Sequence, residues 1–442
     1  MNKNITFKHI NRIAIPALFA GIAEPLLSMV DTAFVGHLPE LAKESLGAVG
    51  LVGVFLSMLI WILGQTRSAI STIVSQYLGR DRLEMIQDLP AQAVYSVVLL
   101  SIIIIGITYP LAGMIFKLYN ADATLLKLSV TYFHIRIFGL PFTLLTFAIF
   151  GSFRGLQNTY YPMVIALVGA LINVVLDYFF IYGISGVLPA MHIRGAAFAS
   201  LTAQIIMAFL SVYYLYTKTP FRLRLRLPFN QEMKPLARMV LHLFIRTIAL
   251  NTALYFGSAY ATKYGNDNIA AYTIAINIWF FYAFILDGYA GAGNIISGKL
   301  YGAKAFTLLK RLSKKLTLYG VITGSVLAGI SFVFYRTIGS VFIANEIVLH
   351  KFYDIFWIVL LMQPINGVAF IFDGIFKGLG QMKYLRNTLL FATFLGFLPM
   401  LFWGDFKHWG LQGIWLAFTV WMLLRAGLLV RKFYRLYFIR KL

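Results

Sequence analysis

The chain runs to 442 residues, 60% of them hydrophobic and only 12% charged, with 38 Lys and Arg against 16 Asp and Glu for a net charge of +22. Soluble domains carry about a quarter charged residues, so a water-soluble globule is excluded. The basic residues sit between long apolar runs, not on the solvated face that a nucleic-acid binder needs. With no cysteine there is no disulfide scaffold or thiolate zinc site, and the seven histidines stand at no ligand spacing.

From the N-terminus, a polar start (Met1 to Arg12) leads directly into an apolar run of spanning length, without the short core and small-residue cleavage site of a removable signal peptide. A hydrocarbon core about 30 Å thick takes roughly 20 helical residues. Twelve runs reach that length: 12–34, 46–78, 89–117, 124–152, 160–183, 195–217, 236–264, 269–298, 316–340, 350–376, 385–404 and 410–434. The two-residue alternation of a membrane β-barrel is missing. The expected fold is an all-α polytopic membrane protein with twelve transmembrane helices. Lys and Arg then set the topology. With the N-terminus inside, 27 of them fall on the inner side, from Lys3, Lys8 and Arg12 to Lys377, Arg386, Arg425 and Lys441, against 7 on the outer side. Both termini are therefore expected in the cytoplasm, in a multi-pass protein of the cytoplasmic membrane.

The chain repeats itself. Phe153-Arg154-Gly155-Leu156 recurs 223 residues later as Phe376-Lys377-Gly378-Leu379, and Pro141, Gly79 and Ala48 map to Pro364, Gly302 and Ala271 at the same offset. Each copy holds six spans, an even number, so both enter the membrane in the same sense as parallel repeats. The expected organisation is an N-terminal six-helix lobe at 1–217, a cytoplasmic linker at 218–235 and a C-terminal six-helix lobe at 236–442. Two such lobes leave a central cleft whose rocking gives alternating access, which suits a transporter better than a channel. In the linker, Arg222-Leu223-Arg224-Leu225-Arg226-Leu227 reads as a segment lying on anionic headgroups.

Five acids fall inside spans: Glu24, Asp31, Asp177, Asp287 and Asp373. A carboxylate at mid-bilayer costs about 2.5–3.5 kcal/mol on insertion scales, so it marks a site with a task. Asn173 and Asp177 lie four residues apart and share a helix face. An amide beside a carboxylate can bond either protonation state or lend a neutral oxygen to a sodium ion. Asp31 follows Pro25, where a helix can bend, and Glu24 beside that proline could satisfy a freed carbonyl. At the repeat offset Asn173 and Asp177 correspond to Gly396 and Met400, and, with the first loop three residues longer in the N-terminal copy, Asp31 corresponds to Gly257, so the acidic constellation exists in one copy only. Asp287 and Asp373 each precede a glycine and read equally well as packing carboxylates. Arg246, with Arg67 and Arg136, reads as snorkelling or as a partner for one of these acids. Tyr255 and Trp279 belong to an aromatic run that could stack on a planar cation, although packing explains most such runs.

Val30-Asp31-Thr32-Ala33 with Gly36-His37-Leu38, then Phe153-Arg154-Gly155-Leu156-Gln157-Asn158-Thr159 leading to Asn173 and Asp177, resemble the multidrug and toxic compound extrusion (MATE) family. Arg194-Gly195-Ala196-Ala197 adds to the likeness. Ile245-Arg246-Thr247, Leu286-Asp287-Gly288 with Ser297-Gly298, and Phe372-Asp373-Gly374 resemble its DinF-type branch. The resemblance implies a cation site at Asp31, Asn173 and Asp177, joined by a polar residue of the sixth helix, Ser200 or Thr202. Where the branch is expected to carry an acid after the Asp-Gly pair of the eighth helix, this chain has neutral Asn294.

The expected function is therefore secondary active efflux: a proton or sodium ion enters as an organic, chiefly cationic or amphipathic, compound leaves. No phosphate-binding GxxxxGK[ST] loop is present, so an ion gradient supplies the energy. The chain is expected to be no enzyme, to need no cofactor or metal beyond the coupling ion, and to act as a monomer in the lipid bilayer on small organic substrates. A lipid-linked precursor flippase shares the duplicated architecture and is the alternative. A membrane-embedded acyltransferase fits poorly, since His134 and His242 have no acid within one helical turn.

Overall fold

The computed structural model describes residues 5–38, 41–119, 123–183, 189–343 and 345–439, apart from the side chains at 23–29, 42, 341 and 439. Among the described residues there is no strand. The described residues form seventeen α-helices: α1 (Phe7–Gly36), α2 (Ala42–Leu63), α3 (Thr66–Gly79), α4 (Leu89–Thr108), α5 (Ala112–Lys117), α6 (Ala123–Arg136), α7 (Leu140–Gly155), α8 (Tyr160–Tyr182), α9 (Ile193–Lys218), α10 (Met233–Lys263), α11 (Asn266–Gly302), α12 (Phe306–Phe342), α13 (Glu346–Leu361), α14 (Gln363–Gly378), α15 (Met382–Phe391), α16 (Leu398–Phe406) and α17 (Gly410–Tyr434).

Several join into single spans. Ten helices or helix runs are long and apolar enough to cross a bilayer, and α13 with α14, bent by 49°, make an eleventh. The 30 residues of α1 bring the number to the twelve read from the sequence. Their outer faces are apolar: Leu99, Ile102, Ile103 and Ile107 of α4 and Phe332 and Val333 of α12 are all exposed. Water would not tolerate such surfaces, whereas lipid tails are as apolar as leucine.

The duplication is visible in the helix ends. The run Lys43–Gly79 corresponds to α11, Asn266–Gly302, and the run Ala123–Gly155 to Glu346–Gly378, with both bounds of both pairs displaced by 223 residues. The interruption inside the second pair is duplicated too. A short 3₁₀ turn, Ile137–Gly139, precedes Pro141, and the bend at Met362 precedes Pro364. Proline supplies no N–H and crowds the preceding turn, so the helix breaks at the same place in each copy. Pro110 acts likewise: α4 closes at Thr108, and residues 112–117, expected within the third span, form the separate six-residue α5.

The chain divides into two compact units. One comprises Phe19–Leu78 with Arg82–Val240, the other Leu241–Leu442 with Met1–Leu18 and Gly79–Asp81. The core of the first gathers Phe116, Phe133, Leu140, Phe153 and Leu215. In the second, Trp415, Phe418, Trp421 and Phe397 form an aromatic core beside Trp279 and Tyr272. Residues 219–232, between α9 and α10, form an irregular segment with bends and a closing turn, fastened to α4. The Gln92 side chain donates to Arg226 O at 2.8 Å and accepts from Asn230 N at 2.8 Å, while Tyr95 Oη donates to Leu223 O.

Candidate functional site

Four of the expected residues meet inside the first unit. Asn173 and Asp177, one turn apart on α8, face Ser200 of α9 and Asp31 of α1, and all four are buried. Ser200 Oγ donates to Asp31 Oδ2 at 2.8 Å, and Asn173 Nδ2 reaches Ser200 Oγ at 3.4 Å. The Asp177 carboxyl packs against that of Asp31. Four oxygens in this cage (Asp31 Oδ1, Asn173 Oδ1 and both of Asp177) are buried and have no hydrogen-bond donor. Buried acceptors are normally satisfied, so a cage of acceptors is chemically a receptacle for a proton or a small cation.

Local packing holds the cage in shape. Gly195 opens α9 pressed against the Phe180 carbonyl of α8, where a Cβ would lie far inside van der Waals contact. The Arg194-Gly195-Ala196-Ala197 stretch therefore seats α9 close on α8, bringing Ser200 within reach of Asn173. At the far end Tyr182 Oη donates to Phe34 O at 2.8 Å, tying α8 to α1.

Two neighbours complete the electrostatics. The Arg136 guanidinium faces Asp177 and donates to the Tyr132 hydroxyl, which itself lies within reach of both acids. Arg136 was open in the sequence between snorkelling and pairing. Tyr132 gave no signal, because nothing separates it from the chain's other buried aromatics.

Other expected residues lie elsewhere. Thr202 is only partly buried; two residues along a helix from Ser200, it points away from the cage. Glu24 and Pro25, the expected hinge of α1, lie outside the described side chains. Asp287 is exposed on α11. Tyr255 is exposed and Trp279 is buried against Phe418, so the two do not meet. Asn294 is buried where α11 passes α14, and its carbonyl abuts Gly378.

Asp373 and Arg246 do meet, in the second unit. Arg246 Nη2 lies 2.6 Å from Asp373 Oδ1, Lys377 Nζ 3.0 Å from Oδ2, and Arg425 Nη2 3.8 Å from Oδ1. The cluster joins α10, α14 and α17 and is buried throughout, apart from partly covered Lys377. The sequence grouped Arg425 with the inner-side cations, yet it is 3% exposed inside α17, its guanidinium stacked on Trp421 at 4.9 Å. A cation near the end of an apolar run reads as a loop residue until packing shows its surroundings.

The family model MatE matches the chain twice, over residues 16–179 and 243–402, and the last residues of the two matches are again 223 apart. DNA damage-inducible protein F of Escherichia coli (strain K12) is 24% identical, over 94% of this chain and 89% of its own length. Multidrug resistance protein NorM of Vibrio vulnificus (strain CMCP6) is 25% identical, over 95% and 93%. Among solved structures, the Vibrio cholerae MATE transporter VcmN in its bent form superposes with a TM-score of 0.89 at 18% identity, covering 98% of each chain. That likeness shows the shared fold.

Proposed function

We propose that this chain, which belongs to the MatE family of multidrug efflux transporters, exports organic compounds in exchange for protons or sodium ions bound at the cage of Asp31, Asn173, Asp177 and Ser200. The family is one of membrane transporters, not enzymes, and the chain is a multi-pass membrane protein. The finer reading concerns coupling, and one observation carries it: two buried carboxyl groups pack against each other with four oxygens lacking donors.

Two carboxylates side by side, out of water, repel each other strongly. A proton or a monovalent cation between them removes that repulsion and satisfies the acceptors. Asn173 suits either ion, since its amide oxygen can coordinate a cation while its NH₂ holds Ser200. Asp31 rides on α1 and Asp177 on α8, so occupancy of the cage sets how closely the two helices are held together. In the proposed cycle an ion entering from outside draws Asp31 to Asp177, α1 bends near Pro25, and the substrate is expelled. Release of the ion inward restores the open arrangement. The substrates are organic, cationic or amphipathic compounds.

The test is dye efflux from everted vesicles, energised in separate experiments by a proton gradient and by a sodium gradient. One gradient should drive export by the wild-type protein, and Asp177→Asn should abolish it at unchanged expression. Undiminished gradient-driven transport by that variant would overturn the assignment.

A further inference from the structure

The cluster around Asp373 has a charge imbalance that its own unit does not resolve. Arg246, Lys377 and Arg425 surround one carboxylate, and among the described residues the charged groups facing Arg425 are Asp373 and Arg246. Among the described residues the other ion pairs of this unit are peripheral: Lys263 takes Asp405, and Lys351 takes Asp267. Two positive charges are thus left over in a place where an uncompensated charge costs several kcal/mol.

The imbalance has a direction. Asp373 is fully engaged, one oxygen on Arg246 and the other on Lys377. Arg425 is at 3.8 Å from the carboxylate and donates through Nη1 only to Met422 Sδ, a weak acceptor. Arg246 Nε is buried with no acceptor. Two guanidinium groups therefore keep unused N–H donors beside the same carboxylate, and a guanidinium fork matches a planar oxyanion in bidentate fashion.

A basic approach leads to them. Arg386 of α15, only partly buried, places Nη1 3.2 Å from His242 Nδ1. His242 stands one turn before Arg246 on the same face of α10. Cationic side chains thus run from the less buried Arg386 inward to Arg246 and Arg425.

We infer that this cluster is an oxyanion subsite, which receives the carboxylate or phosphate group of an acidic or zwitterionic compound across Arg246 and Arg425. The inference rests on the transporter reading and extends its substrates to compounds bearing an acidic group. It does not depend on which ion drives export.

The test uses the purified full-length protein in neutral detergent, with thermal unfolding followed against sodium benzoate, inorganic phosphate and benzylammonium chloride at matched ionic strength. Benzoate or phosphate should raise the melting temperature saturably, as a ligand of the native state must, and benzylammonium should not. Benzoate acting alone identifies a carboxylate ligand, and phosphate acting alone a phosphate ligand. Arg425→Gln should raise the concentration for half-protection roughly thirtyfold or more, while Asp177→Asn, which stops coupled export, should leave it unchanged. If Arg425→Gln does not fold, Arg425→Lys keeps the charge, loses the fork, and should weaken protection in the same direction. Lack of saturable protection, equal protection in the Arg425 variant that folds, or protection only from anionic lipid added as phosphatidylglycerol nanodiscs would overturn the assignment.

Discussion

The two units descend from one duplicated sequence and place their buried charges in opposite ways. In the first, acids meet acids: Asp31 and Asp177 pack together with unsatisfied oxygens. At the equivalent positions of the second unit there is only packing. Gly257 stands where Asp31 would be, and a Cβ there would lie 2.8 Å from Tyr272 Oη and 2.9 Å from Phe418 Cζ. If Gly413, pressed on Gly404, is matched with Gly195, Phe418 takes the place of Ser200. Gly396 and Met400 replace Asn173 and Asp177 with a surface packed on Leu424 and the aromatic core. The exchange also runs the other way. Asp373, at the centre of the basic cluster, corresponds to Phe150, fully buried in the first unit. Each unit keeps one polar device and fills the other's position with apolar side chains: the first gathers buried carboxyl oxygens, the second buried cations.

The comparison is sharpest when each device loses its acid. Asp373→Ala leaves three cations without a counter-charge, and breaking a buried pair in this way costs about 3–5 kcal/mol. We expect a large fall in melting temperature and in folded yield. Asp177→Asn, by contrast, removes an unsatisfied acceptor from the cage and should leave the melting temperature level or raise it. Equal destabilisation by the two would mean that the cage is a structural ion cluster like its counterpart.

Next in size is Gly195→Ala. The added methyl meets the Phe180 carbonyl, and overpacking of this kind costs about 1–3 kcal/mol. Pushing α9 off α8 also separates Ser200 from Asn173, so coupled export should fall along with stability. A fully active, equally stable variant would show that the close α8–α9 seat does not shape the cage.

Ser200→Ala should act more weakly. It removes the hydroxyl that links Asn173 to Asp31, and one such bond is worth about 1 kcal/mol. The expected outcome is a several-fold weaker dependence of export on the coupling ion, read as a shift in the ion concentration for half-maximal rate. Thr202→Val should change this by less than a factor of about two, since a surface substitution away from such features stays within about 0.5 kcal/mol. If Thr202→Val has the larger effect, the wrong sixth-helix residue has been placed in the cage.

How much of this the sequence could carry depends on the kind of signal. Spans are legible because twenty apolar residues in a row have few other uses, and the duplication because helix breaks need proline at fixed places, as at Pro141 and Pro364. Asn173 and Asp177 are legible because a four-residue spacing fixes a shared face whatever surrounds it. The choice between Ser200 and Thr202 was not, because it depends on the rotation of α9 about its axis, which Gly195 sets through contact with α8. Tyr132 was hidden among other aromatics, and Arg425 behind its place near the end of an apolar run. Both are defined by what lies across from them, which no local pattern records.

The central claim is that neutralising the paired acids of the first unit drives export, and proteoliposomes measure this directly. Dye leaving and ion entering are recorded together for the wild-type protein and for Asp177→Asn. The account predicts dye concentrated against its gradient with obligatory ion uptake in the wild type, and in the variant only downhill dye leakage with no ion movement. Uphill export with ion uptake by Asp177→Asn would contradict it.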